Sequence, residues 1–388
     1  MRKSTELIHA GEMGGAGQTP SLTTPIFETS TFVFESAAAV QRYQSQELDG
    51  YLYSRYENPT IVAVERKLAV VEGAEASLLF SSGMAATSHA LLTLLQQGDE
   101  VVCSAAAYGG THHLLADMLP RFGIATRFVS LDELADVGSA IGPRTRVVWF
   151  ESPINPTLRC VDVRRVAAGC RAAGVTSIVD NTFATPINQP VLAMGVDLSM
   201  QSATKYLNGH SDVTAGVLSG PRRLIDSIAR ARRLLGGTTD PQPAYALGRG
   251  LKTLALRVAR HNANAQAVAE ALDGHRALTR VYYPGLRSHP DHTIAAAQMS
   301  GFGGMVTIDL AAGQEAAFRA FDRLRVIKRA ASLGGVESLC SLPILTSHTG
   351  FSNEDLERAG VTRGMMRLSI GLEDPQDLIE DLEQALNG

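Results

Sequence analysis

The chain has 388 residues, 45% hydrophobic and 19% charged, with no long acidic, basic, Gln/Asn-rich or Pro-rich tract; at about 150 residues per domain it holds two or three domains, which excludes disulfide mini-scaffolds, disordered chains and fibres. Thirty-five Lys and Arg against 39 Asp and Glu leave a net charge of −4, so neither nucleic acid nor an anionic membrane is expected as the main partner, and any bound anion needs a local site. The start MRKSTELIHAGEMGG has no apolar core behind its basic residues, and no stretch reaches the roughly eighteen apolar residues of a membrane span, so no membrane partner and a cytoplasmic location are expected.

Residues 1–56 are rich in Thr, Ser, Gly and Pro, with a short helix expected around 36–46. They read as an arm reaching the neighbouring subunit of a homo-oligomer, because alone they cannot bury their apolar side chains. Residues 57–248 alternate short apolar runs with helical periods and are read as a large domain. Asn58-Pro59 is helix-start chemistry, Ile61, Val64, Leu68 and Val71 share one face, and Gly73 is a natural stop. Strands are expected over 76–80, 100–103, 146–150 and 176–179, and an alternating one over 196–200. Strands alternating with helices predict an α/β fold with a mostly parallel sheet covered on both faces, whose ligands sit beyond the carboxyl ends of the strands. Residues 249–388 are read as a smaller C-terminal α/β domain: one long helix over 249–272, strands over 304–310 and 365–370, a helix over 315–324 and a last helix capped by Asp374.

P-loop, dinucleotide, serine-hydrolase and zincin motifs are absent. The four cysteines form no CxxC pair and are read as reduced, and His112-His113 and His289 with His292 do not make a metal site; no metal is expected. Chemistry concentrates at strand ends. Lys205 follows Ser202 and Thr204, hydroxyls spaced to grip a phosphate, and a lysine partly desolvated there loses some preference for the charged form, as a Schiff-base nucleophile requires; a solvated surface lysine is the alternative. Asp180 ends the apolar run SIVD and is either a loop carboxylate or an acid that keeps a pyridine nitrogen protonated. Ser81-Ser82-Gly83-Met84 lies between strand and helix, where backbone N–H groups favour a phosphate, and Tyr108 before Gly-Gly can lie flat over a cofactor ring.

Together the strings YSRYENPT, SSGMAA, AYGGT, ESPINPT, VDNTFATP, QSATKYLNGHSD, SLGGVESL and MRLSIGLED resemble the pyridoxal 5′-phosphate-dependent enzymes of cysteine and methionine metabolism, the trans-sulfuration group that includes cystathionine γ-lyases and γ-synthases. The resemblance runs from about Ser4 to the last helix. It implies the type I fold of pyridoxal-phosphate enzymes, like that of aspartate aminotransferase, and pyridoxal 5′-phosphate as cofactor, in imine linkage with Lys205. It further implies Asp180 on the ring nitrogen, Tyr108 stacked on the ring, Gly83, Met84, Ser202 and Thr204 on the phosphate, and Asn155 at the ring hydroxyl and substrate. Tyr53 and Arg55 would reach the phosphate of the neighbouring subunit, in a homotetramer built as a dimer of active dimers. Arg367 with Ser338 would take the carboxylate of a small amino-acid substrate, and Glu337 resembles members that handle cystathionine.

The activity the resemblance implies first is γ-elimination on cystathionine, giving cysteine, 2-oxobutanoate and ammonia, with Lys205 moving protons and Tyr108 serving the leaving group. γ-Replacement on an O-acyl homoserine comes next, then methionine γ-lyase or sulfhydrylase activity; a catalytically silent cofactor-binding protein and an aminotransferase are the competing classes. Gly110 differs from the cysteine usual in methionine γ-lyases, while Leu52 and His113 stand where cystathionine γ-lyases tend to carry an acid and an arginine.

Overall fold

The computed structural model describes residues 2–12 and 21–387; stretch 13–20 of the expected arm lies outside them. Asn58 caps the helix Pro59–Glu72, its Oδ1 accepting the N–H of Thr60 at 2.9 Å, and Gly73 ends it at φ 69°, the left-handed conformation glycine adopts without steric cost. Ile61, Val64, Leu68 and Val71 are its buried face, as their spacing predicts.

Seven strands form the large sheet: β1 (Ala76–Phe80), β2 (Glu100–Ser104), β3 (Ala125–Val129), β4 (Thr145–Glu151), β5 (Thr176–Asp180), β6 (Leu198–Ser202) and β7 (Gly216–Gly220), in the order β1-β7-β6-β5-β4-β2-β3. From β6 to β3 the pairing is parallel, and β7 is antiparallel to both neighbours. Alternate side chains of β4 enter opposite cores, Val147 and Trp149 on one face and Val148 and Phe150 on the other. Its stretch Val147 to Phe150 is therefore continuously apolar, as a doubly covered sheet requires.

A second sheet contains β8 (Leu278–Tyr282), β9 (Met305–Leu310), β10 (Lys328–Arg329), β11 (Leu339–Ser341) and β12 (Met365–Ser369), ordered β10-β11-β12-β9-β8 and antiparallel except for β10 with β11. Helices Leu254–Leu272, Gly313–Arg323 and Pro375–Leu386 cover it, with Val268, Leu272, Ile308, Leu368, Leu378 and Leu382 in one core. Asp374 caps the last of them, accepting the N–H of Gln376 at 2.9 Å.

Two expectations are corrected. The helix expected over 249–272 is two, Pro241–Leu251 and Leu254–Leu272; the buried Arg257 guanidinium donates to the carbonyl of Gly250, one of the groups the break leaves without a helical partner, and to those of Tyr206 and Leu207 after β6. The alternating strand begins two residues later, as β6, and Ser199 and Gln201 are buried along with Leu198 and Met200. Here polar residues mark internal hydrogen bonds and not a wet face: Gln201 Nε2 donates to Glu72 Oε1 at 2.8 Å.

Burial pushes the Glu72 carboxyl up to about 7, against partial relief from Gln201, Ser199 and Lys3. A carboxyl whose folded-state value lies above its unfolded one binds its proton more tightly when folded. Its contribution to stability is therefore greatest below about pH 4.5 and declines as pH rises to 7. Glu72→Gln, which keeps the acceptor and removes the charge, is expected to stabilise the protein by on the order of 2 kcal/mol at pH 8 and to have little effect at pH 5. Thermal unfolding at the two pH values checks this; a variant less stable than the parent at pH 8 would refute it.

Candidate active site

Strands β4, β5 and β6 end at one cavity of about 630 Å³, lined by Gly83, Met84, Tyr108, Glu151, Asn155, Asp180, Ser202, Thr204, Lys205, Ser332 and Arg367 among others. It lies where an open parallel sheet places its ligands.

One end is suited to an anion. Ser82 caps the helix Gly83–Leu94 by accepting the N–H of Ala85 at 3.0 Å, and Gly83 and Met84 of that first turn line the cavity, where N–H groups and helix dipole favour negative charge. Ser202 and Thr204 stand opposite. Any side chain at Gly216 would place a Cβ 2.1 Å from Ser82 O, so this close approach demands glycine and makes GVLSG a strand without an obvious strand pattern.

Lys205 Nζ donates to Ser332 Oγ at 2.9 Å. Burial first, and Arg367 second, lower its affinity for the proton, while Asp180 works the other way. Asp180 Oδ1 accepts both the N–H and the hydroxyl of Thr182, and Thr182 Oγ1 in turn accepts the N–H of Ser202 at 2.8 Å, tying the ends of β5 and β6 together. Burial pushes Asp180 up to about 6 against these donors and Lys205. Tyr108 is 46% exposed in the single chain, and a Cβ at Gly110 would lie 2.6 Å from Tyr108 Cε1 and 3.0 Å from Met84 Sδ; the ring thus rests against Gly110, and a side chain there would have to displace it. Arg367 is 7% exposed, donates to Asn155 Oδ1 at 2.9 Å and Ser332 O at 3.3 Å, and has a buried Nε without a partner.

Of the residues expected from sequence, Gly83, Met84, Tyr108, Asn155, Asp180, Ser202, Thr204, Lys205 and Arg367 share this cavity. Ser338 does not. It is fully buried, its hydroxyl donating to Glu373 Oε2 at 2.8 Å and accepting the N–H of Gly371 at 2.8 Å, so the serine beside Arg367 and Lys205 is Ser332, at a strained φ of 135°. Glu337 also lies outside the cavity lining, its carboxylate on the Ser211 hydroxyl. Tyr53 and Arg55 line a different, open cavity with Gly236 to Pro241, and Arg55 stacks over Tyr56 and Tyr53. Sequence reasoning missed Ser332, Thr182 and Glu151. Only Glu151 carried a signal, since it ends an apolar run as Asp180 does.

Among the described residues no group of three or more His, Cys, Asp or Glu gathers as a metal site, all four cysteines are buried and unpaired, and no helix is long and apolar enough to cross a membrane. The donor set matches pyridoxal 5′-phosphate: an amine on a short tether, an acid for a ring nitrogen, a helix end for a phosphate, and a buried guanidinium with an unused N–H for a carboxylate. Fold and site together define a pyridoxal-phosphate enzyme of type I architecture acting on an amino acid.

Comparison with known proteins narrows this class. The sequence model of the Cys/Met metabolism PLP-dependent enzyme family matches residues 4–387, and the chain belongs to that family. It is 43% identical to an L-methionine gamma-lyase of Fusobacterium nucleatum subsp. polymorphum over 98% of this chain and 97% of that one. It is 40% identical to a cystathionine beta-lyase of Lactococcus lactis subsp. lactis (98% and 98%) and 39% identical to the chloroplastic cystathionine gamma-synthase 1 of Arabidopsis thaliana (98% and 68%). The crystal structure of metB from Corynebacterium glutamicum superposes with a TM-score of 0.93 at 38% identity, covering 100% of this chain and 98% of that one.

Proposed function

We propose that the protein catalyses γ-elimination on a sulfur-containing L-amino acid, consuming one water and releasing a thiol, a 2-oxo acid and ammonia. The observation that carries this reading is the cavity in which the Lys205 amine, the Asp180 carboxyl and the partner-poor Arg367 guanidinium converge. When bound, pyridoxal 5′-phosphate supplies an electron sink for negative charge developing at the substrate Cα. Lys205 would hold it covalently, Gly83, Met84, Ser202 and Thr204 its phosphate, Asp180 its ring nitrogen, Tyr108 its ring face, and Asn155 its ring hydroxyl. Arg367 would bind the substrate carboxylate, Ser332 would orient the Lys205 amine, and that amine would take the Cα proton. The Tyr108 hydroxyl would move a proton at the leaving group on Cγ.

Cystathionine is the first substrate proposed from sequence. A second reading, an uncharged thioether such as methionine, is favoured by one observation: the acids lining the described cavity are Asp180 and Glu151 at the strand ends, while Ala331, Leu333, Phe183, Pro153 and Thr346 line the rest without a charge for a distal ammonium group. Parallel incubation with cystathionine, methionine, and an O-acyl homoserine plus cysteine, with the products identified, tests both readings. Thiol and 2-oxobutanoate from either thioether support elimination; a new thioether alone would instead mean γ-replacement.

The site is proposed to be shared between subunits of a tetramer of two active dimers. Tyr53 and Arg55 lie away from their own chain's cavity, near the exposed Leu234 and Leu235. Losing a charge-assisted hydrogen bond costs about 1.5–3 kcal/mol, so Arg55→Ala is expected to weaken cofactor affinity roughly 10- to 150-fold. At a cofactor concentration too low to load Arg55→Ala alone, mixing Arg55→Ala and Lys205→Ala subunits should restore activity, because half the mixed sites are intact. No recovery in confirmed mixed dimers would sink the shared site.

A further inference from the structure

Glu151 has no role in the chemistry above, yet it ends β4 exactly opposite Asp180, the last residue of the parallel neighbour β5. Both carboxyls line the cavity, and Glu151 is buried. Their surroundings differ. Asp180 has two donors from Thr182 and the Lys205 cation acting on it. Glu151 has one, the backbone N–H of Tyr108, at 2.5 Å to Oε1. On the sides packed against it stand Asp180 on β5 and the Cys103 thiol on β2, the latter itself raised by burial and by Glu151, and no cation offsets them. Two adjacent carboxyls, one buried and one half-buried, served this unequally do not both ionise. Burial, then Asp180, hold Glu151 well above the ordinary carboxyl range.

We infer that Glu151 is a positioning residue kept as a neutral carboxylic acid, which leaves the single negative charge of the pair on Asp180 and uses its carbonyl oxygen to fix the Tyr108 backbone. The inference rests on the reading of Asp180 as the ring-nitrogen acid. It explains why an acid sits beneath Tyr108 without a counter-charge: a second anion there would compete with Asp180 for the one ring proton, whereas a neutral acid anchors the loop and leaves the field at the ring to Asp180. Glutamine, also neutral and an acceptor, should therefore serve almost as well as glutamate, and alanine should not.

The test uses the holoenzyme. Difference infrared spectra in the Glu72→Gln background, which removes one of the other raised carboxyls (Glu65 and Asp309 remain), should show a protonated-carboxyl C=O component at pH 8.5 that Glu151→Gln abolishes. The pH midpoint of the visible band of the lysine-bound cofactor should be unchanged in Glu151→Gln and shifted in Asp180→Asn. Glu151→Gln should keep kcat/KM within about threefold of the parent, while Glu151→Ala, which strands the Tyr108 N–H, should lose roughly tenfold or more. Absence of the infrared band in the parent, or a cofactor midpoint that moves in Glu151→Gln as it does in Asp180→Asn, would overturn the inference alone. An Asp180→Asn enzyme with unaltered spectrum and cofactor affinity would overturn the ring-acid reading and this inference with it. Absence of the band in the Glu72→Gln protein overturns the inference without any Glu151 variant, and if Glu151→Gln fails to fold, a shift of the band in Glu151→Asp assigns it to this side chain.

Discussion

Lys205→Ala is expected to reduce turnover by about 10⁴-fold or more and to abolish the visible band of the lysine-bound cofactor, because the same amine is tether, nucleophile and base. The amine sits at the cavity's junction: it donates to Ser332, and burial and Arg367 favour its neutral form. Only the neutral amine attacks an aldehyde or accepts a proton, so lowering the proton affinity raises the reactive fraction at neutral pH. Lys205→Arg separates charge from chemistry, since it keeps a cation beside Asp180 but remains protonated and cannot form the linkage. Both variants should still hold the cofactor through the phosphate-facing residues, and a small primary amine added to Lys205→Ala should restore part of the proton transfer. Absorbance and product release measured together decide the matter, and either variant turning over at more than a few per cent of the parent would remove Lys205 from the mechanism.

How far the molecule was legible in advance depended on whether a residue's role is written locally. Asp180 and Lys205 stand at the ends of strand-like apolar runs, and Gly83-Met84 opens a helix after a strand, so neighbours in the chain announce them. Strands β1, β2, β4 and β5 were legible for the same reason, being short apolar runs buried on both faces. By contrast β7 is glycine-rich because the backbone at Ser82 crowds it, and β6 carries polar residues whose partners lie on the distant Glu72 helix. The segment SLGGVESL offers two serines, and nothing local distinguishes them. Tertiary structure does, since Glu373 and Gly371 take Ser338 while the loop before Gly334 brings Ser332 to Lys205. Glu151 ends its strand as plainly as Asp180 does, but its meaning depends on the register of β4 with β5, which no pattern along one strand reveals.

Arg367→Ala is expected to lower kcat/KM by roughly 30- to 5,000-fold, equivalent to about 2–5 kcal/mol for truncating one side of a buried, hydrogen-bonded charge pair. The guanidinium is almost fully buried, yet its recorded partners are neutral oxygens of Asn155 and Ser332, and its Nε–H has none. A cation taken from water without a counter-charge is costly. Asn155 and Ser332 offset part of that cost and aim the planar fork, leaving the N–H of Nε for an incoming carboxylate. The loss should therefore appear mainly in KM, with kcat changed less, because carboxylate binding is shared by ground and transition states. Arg367→Lys, a point charge without the fork, should recover only a small part of the loss. The same geometry predicts an opposite effect on stability: removing a buried, uncompensated charge should leave the unliganded protein as stable as the parent or more so, as expected where a binding site is kept at the fold's expense. Steady-state kinetics with the preferred amino acid and thermal unfolding without it check the two halves separately. An unchanged KM would remove Arg367 from substrate binding, and a lower unfolding temperature would show that the guanidinium instead holds the loop of Ser332 against β12.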